Sequence, residues 1–134
     1  MYGYAVFFGS GLISYTARKL KSAESSCEAE YAATSHAAKE LAFVRNVMDE
    51  LGFPLSAPII LGVDNTAAID VANDHGTSQR TKHFDRLTHY IREAIEHLYV
   101  LLTFVRTADQ RADIFTKCLD KTTFLRIRNM LFAA

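Results

Sequence analysis

The sequence predicts an α/β (α+β) fold, a mixed sheet with flanking helices. The prediction rests on β-rich stretches around a glycine turn, long segments with apolar residues every three or four positions, and short apolar runs bounded by polar residues. Residues 4–8 are aromatic and β-branched, Gly9-Ser10-Gly11 supplies turn chemistry, and residues 12–17 alternate again. This is the signature of a β-hairpin. Residues 25–51 contain neither Pro nor Gly, Ser25 and Glu28 have capping-box spacing, and Gly52 stands before Pro54 as a stop. A long helix is expected there, with Ala37, Leu41, Val44, Met48 and Leu51 as its buried stripe. Residues 57–63 are apolar on both faces, as in a buried strand, and Asp64-Asn65 ends the run ahead of a short helix over 66–72. Residues 80–98 carry Phe84, Leu87, Ile91, Ile95 and Leu98 on one face of an amphipathic helix. A strand over 99–106 follows, and the apolar residues from Ala112 onward suit one or two terminal helices.

At 134 residues, 49% hydrophobic and without a linker or repeat, the chain is expected to form one domain over residues 1–134. Lys plus Arg equals Asp plus Glu at 15 each, so no overall field draws the molecule to nucleic acid or an anionic membrane. Any basic surface is local. Cys27 and Cys118 match neither a metal-binding pair nor a disulfide framework, which favours a reducing interior. Apolar runs such as 98–102 fall far short of a membrane span, and no targeting signal is seen. The expected setting is intracellular, cytoplasmic or nuclear.

Helical phase singles out one acid. A heptad back from Ala37 lies Glu30, whereas Glu28 shares a face with Ser35 and Lys39, read as solvated. A carboxylate at the end of an apolar stripe either finds a partner or a cation, or projects beyond the core into water. Asp64 directly follows an apolar strand, where open α/β sheets bind ligands, but an aspartate there also suits the N-cap of the next helix. Asp113 lies early in the segment after the last strand, where an acid complements a helix dipole. The face with Arg80, Lys82, Arg86 and Arg92 could follow a phosphate backbone or be solvated and paired with Asp85 and Glu93. His83 and His89 do not share a helical face and suggest no metal site.

These acids lie in segments that together resemble the RNase H domains of copia-type retrotransposon Pol polyproteins. Ser25-Ser26-Cys27-Glu28-Ala29-Glu30-Tyr31-Ala32-Ala33 is similar to that family's SSxEAEYxA segment, and Val63-Asp64-Asn65-Thr66-Ala67-Ala68-Ile69 to its xDNxxAI segment. Arg80-Thr81-Lys82-His83-Phe84-Asp85 with His89-Tyr90-Ile91-Arg92-Glu93 looks like RTKHIDxxxHxIRE, and Ala112-Asp113-Ile114-Phe115-Thr116-Lys117 looks like ADIFTK. The resemblance covers nearly the whole chain. It implies an RNase H-like mixed sheet, with Glu30, Asp64 and Asp113 as catalytic carboxylates binding Mg²⁺ or Mn²⁺. It also implies hydrolysis of RNA in RNA-DNA hybrids, with Arg80, Lys82, Arg86 and Arg92 on the hybrid-binding surface.

One element of that family's pattern is missing. The first aspartate of the chain is Asp49, inside the long helix. The resemblance therefore implies that the strand bearing the first catalytic aspartate precedes Met1, so the domain is incomplete and weakly active or inactive. In the family's sheet that strand lies between the hairpin and the strand ending at Asp64. Its absence predicts a gap, to be closed by a protein partner completing or covering the sheet, or by direct pairing of the hairpin with residues 57–63. The alternatives are a nuclease, a noncatalytic structural or interaction subunit, and a hybrid-binding module without cleavage.

Overall fold

A computed structural model describes residues 1–19, 26–73 and 85–132, and the side chains of these except residues 26–28 and 85–88. The fold is α+β. Strands β1 (Tyr2–Phe8) and β2 (Gly11–Arg18) form the hairpin, followed by α1 (Ser26–Glu50), β3 (Ile59–Val63), α2 (Thr66–Asn73), α3 (Asp85–Glu96), β4 (Val100–Phe104) and α4 (Lys121–Phe132). Between β4 and α4 lie two 3₁₀ turns, Thr107–Asp109 and Arg111–Phe115. No described helix is long and apolar enough to cross a membrane.

The hairpin is antiparallel, with a register shift between Val6 and Phe7, and Gly9 takes the turn at φ 61°. Strands β3 and β4 pair in parallel, Ile59 opposite Val100 through Val63 opposite Phe104. Among the described residues the two pairs do not join: β1 bonds to β2 and β3 to β4. The contracted sheet, with the hairpin paired directly to β3, is therefore not what this chain forms.

Helix α1 underlies both pairs. Tyr2 stacks on His36 with ring centroids 4.6 Å apart, and Val6 clusters with Ala38 and Leu41. Strand β1 thus runs in the same sense as α1. Ile59 packs beside the Val6 cluster whereas Val63 meets Tyr31, so β3 runs the opposite way. Ile91 and Ala94 of α3 complete the two core clusters.

Two expectations for α1 need correction. Ser35 is fully buried rather than on a solvated face, because α1 is covered by the strands on one side and by α3 on another, which widens the buried arc. Leu51, expected in the core, is exposed. It lies beyond the last turn of α1, where Gly52 at φ 83° ends the helix with the bonds Gly52 N to Asp49 O and Phe53 N to Met48 O. The amphipathic helix expected from residue 80 is described from Asp85 onward, and residues 80–84 lie outside the described residues.

Candidate acid site

A groove of about 530 Å³ separates the two strand pairs. Its sides are Gly3, Tyr4, Ala5, Val6 and Phe7 of β1 and all five residues of β3, and its floor is the α1 face from Glu30 to Leu41. The parallel ladder shows what faces it. Ile59 N bonds to Tyr99 O and Val105 N to Val63 O, so the odd-numbered residues of β3 point their main-chain groups at β4. The alternation turns the main-chain groups of Ile60 and Gly62 toward the groove. Gly62 O accepts there from Gln110 Nε2 at 3.5 Å.

Glu30, Asp64 and Asp113 come to this region from three separate elements. Glu30 lies in the first turns of α1, half-buried and lining the groove. Asp64 follows β3, and the capping alternative falls to its neighbour: Asn65 Oδ1 accepts from Ala68 N at 3.2 Å at the start of α2. Asp64 is left free for other contacts. Asp113 lies in a 3₁₀ turn rather than early in an α-helix, and it is buried.

That turn is held against the hairpin. Phe115 stacks on Tyr15 at 5.1 Å, and the Arg111 guanidinium lies 4.8 Å from the Phe7 ring centroid. Gly3 permits the approach, because a Cβ there would meet Thr116 Cγ2 at 2.8 Å and Thr16 O at 2.9 Å. Gln110 caps the turn, accepting from Ala112 N at 3.5 Å, while its amide reaches Gly62 O across the groove. One side chain thus links the Asp113 turn to the strand that leads into Asp64.

The electrostatics show that the three acids interact. Burial pushes the Glu30 carboxyl above its ordinary 4.5, and the neighbouring Asp64 and Asp113 charges and a hydrogen bond with Asp64 push it the same way, against the pull of Lys117. Burial also raises Asp113 above 3.8, although Lys117 opposes it through a hydrogen bond and its charge. Lys117 is the cation at this site. Its Nζ donates to Asp113 Oδ2 at 2.9 Å and stands 3.8 Å from Asp64 Oδ2. Partial burial alone would lower the ammonium's pKa, but the hydrogen bond to Asp113 and the charges of Asp113, Asp64 and Glu30 hold it above 10.5.

The donor chemistry suits a hard divalent cation, but the present arrangement does not form a ready-made site. Among the described residues no three His, Cys, Asp or Glu side chains are grouped to hold a metal ion. The ammonium of Lys117 already engages one of the two Asp113 carboxylate oxygens.

The proposed nucleic-acid residues are only partly in view. Arg80 and Lys82 lie outside the described residues, as does the side chain of Arg86, while Arg92 Nη2 donates to Val71 O at 3.1 Å and ties α3 to α2. The side chains of Glu28 and Cys27 also lie outside them, and Cys118 is exposed as a free thiol. Sequence reasoning missed Lys117, Asn65 and Gln110. Only Lys117 left a usable signal, its i+4 spacing from Asp113.

The chain is similar over 91% of its length to retrovirus-related Pol polyproteins of plant transposons. It is 33% identical to that of transposon RE2 and 32% to that of transposon RE1, both of Arabidopsis thaliana. It is 31% identical to that of transposon TNT 1-94 of Nicotiana tabacum. It spans 8% of the length of the first two and 9% of the third. No protein-family profile matches the chain, and no solved structure does.

Proposed function

We propose that this chain, related over nine-tenths of its length to retrotransposon Pol polyproteins, is their RNase H-like domain, with Glu30, Asp64 and Asp113 as what this chain contributes to the hydrolytic centre. The observation that carries the reading is that Asp64 at the end of β3 and Asp113 in the turn after β4 face the same Lys117 ammonium at 3.8 and 2.9 Å, while Glu30 of α1 lines the groove beside the residues that precede them. Carboxylates brought together from separate elements can hold the divalent ions that act on a phosphodiester. When bound, divalent ions such as Mg²⁺ or Mn²⁺ would activate a water and stabilise the leaving 3′ oxygen. Three acids offer fewer anionic ligands than a two-ion centre uses, so little or no hydrolytic activity is expected of the chain alone.

The open groove supports a second part of the reading. Among the described residues, strands β1 and β3 each present an unshared edge to a slot floored by α1, and such edges invite pairing with another extended segment. A protein partner supplying one strand, antiparallel to β1 and parallel to β3, would join the two pairs into a single mixed sheet.

The test is a labelled RNA-DNA hybrid titrated with the purified chain, read by anisotropy for binding and on a gel for cleavage. The reading expects hybrid binding that weakens with salt and almost no cleavage in Mg²⁺ or Mn²⁺. Metal-dependent cleavage abolished by Asp64→Asn would refute the inactivity of the chain alone. Absence of any binding to hybrid would refute the assignment as a hybrid-acting domain.

A further inference from the structure

We infer that the Lys117 ammonium is the resident cation of the acid cluster, holding Asp113 toward Asp64 and Glu30 in the ion-free protein and competing with any divalent ion for the same oxygens. The inference rests on the reading of these acids as a hydrolytic centre only for its second half. The counter-ion role stands on the geometry alone.

An i,i+4 ion pair on a surface contributes little, because water screens both partners. This one differs in its acceptors. The side chains of Asp113 and Asp64 are only 10% and 9% exposed, whereas that of Lys117 is 43% exposed. The ammonium lies on the open side of two nearly buried carboxylates belonging to different elements. It therefore bridges the Asp113 turn to the end of β3, a link that no backbone hydrogen bond between Asp64 and Asp113 supplies among the described residues. Removing it leaves like charges facing one another with fewer donors, which is costly for partly buried acids.

The same contacts set the competition. A divalent ion held by Asp64 and Asp113 would draw on the same two carboxylates whose Oδ2 atoms Lys117 faces at 3.8 and 2.9 Å. Two cations so close together would repel each other, so each would weaken the other's hold on the acids. The exposed four-carbon stem gives the ammonium a way out into solvent. Were an ion to bind these acids, Lys117 would be displaced toward solvent and left free to meet an anion outside the cluster.

The test uses the full chain and its Lys117→Met, Lys117→Arg and Lys117→Met/Asp113→Asn variants, with thermal unfolding in chelator and Mn²⁺ titration by calorimetry. In chelator, Lys117→Met is expected to unfold several degrees below the wild type, with Lys117→Arg and the double variant recovering most of the loss. Mn²⁺ should bind Lys117→Met about tenfold tighter than the wild type, the equivalent of ~1.4 kcal/mol. A Lys117→Met variant as stable as the wild type in chelator, or one that binds Mn²⁺ no tighter, overturns the inference. If Lys117→Met does not fold, the double variant decides: folding supports the counter-ion role and failure to fold overturns it. If no variant binds Mn²⁺, the competition and the metal-dependent reading of the site fall together, while the chelator series still judges the counter-ion role.

Discussion

Gly3→Ala tests how closely β1 and the acid-bearing turn approach. A Cβ at Gly3 would lie 2.8 Å from Thr116 Cγ2, 2.9 Å from Thr16 O and 3.3 Å from Phe115 Cβ. The Thr16 carbonyl belongs to the hairpin, in which Gly3 stands opposite Ala17 and Tyr4 opposite Thr16, so it cannot retreat without disturbing the ladder. The turn must move instead, taking Asp113 with it. Overpacking of this kind costs about 1–3 kcal/mol, which for a chain of this size lowers the melting temperature by roughly 3–12 °C. Thermal unfolding by circular dichroism measures it, with Gly11→Ala as the control because the nearest atom there, Phe8 O, is an ordinary 3.6 Å away. A Gly3→Ala protein as stable as Gly11→Ala would refute the close approach and, with it, the placement of the Asp113 turn against the hairpin.

Asn65→Ala should cost about 1 kcal/mol through loss of the α2 cap, measurable by urea unfolding, whereas Asp64→Asn should not; the reverse order would reassign the cap. Leu98, at φ 55°, closes α3 with the bonds Leu98 N to Ile95 O and Tyr99 N to Ala94 O. Leu98→Gly should therefore stabilise by about 0.5–1 kcal/mol in the same assay, and a loss of stability would contradict that backbone. Glu30 and Asp113 bind protons more tightly folded than unfolded, so their contribution is fully present below about 4.5 and 3.8 and is lost as pH rises through their raised folded values. His36, held below 6.5 chiefly by burial, works in the opposite direction and loses its contribution as pH falls. The comparison is therefore between proteins: Glu30→Gln should gain stability relative to wild type at pH 7 and lose that advantage toward pH 4.5, and a pH-independent difference would be inconsistent with the raised Glu30 pKa.

The hairpin and α1 were legible because each repeats a simple period over several residues, and β3 and β4 because each is a short apolar run bounded by polar residues. The Asp113 turn was not, since Ile114, Phe115 and Leu119 have spacing that a helix and a short 3₁₀ turn followed by a loop share. The phase argument put Glu30 on the apolar stripe of α1, a heptad before Ala37, and that face lines the groove, but it misread Ser35, because periodicity along one helix cannot report that α3 covers a second face. Capping was ambiguous for a local reason: Asp64 and Asn65 are adjacent and equally able caps, and only the backbone path decides between them. Lys117 was passed over because its spacing from Asp113 is what any solvated ion pair would show, and its proximity to Asp64 depends on a contact between distant parts of the chain.

Paramagnetic broadening by Mn²⁺ of the assigned amide and carboxyl resonances tests the central claim that Glu30, Asp64 and Asp113 constitute one site. Substoichiometric Mn²⁺ should broaden the resonances of these three residues together and leave Asp49, Asp70 and Asp120 sharp. Broadening centred on another group of acids, or on one of the three alone, would contradict it.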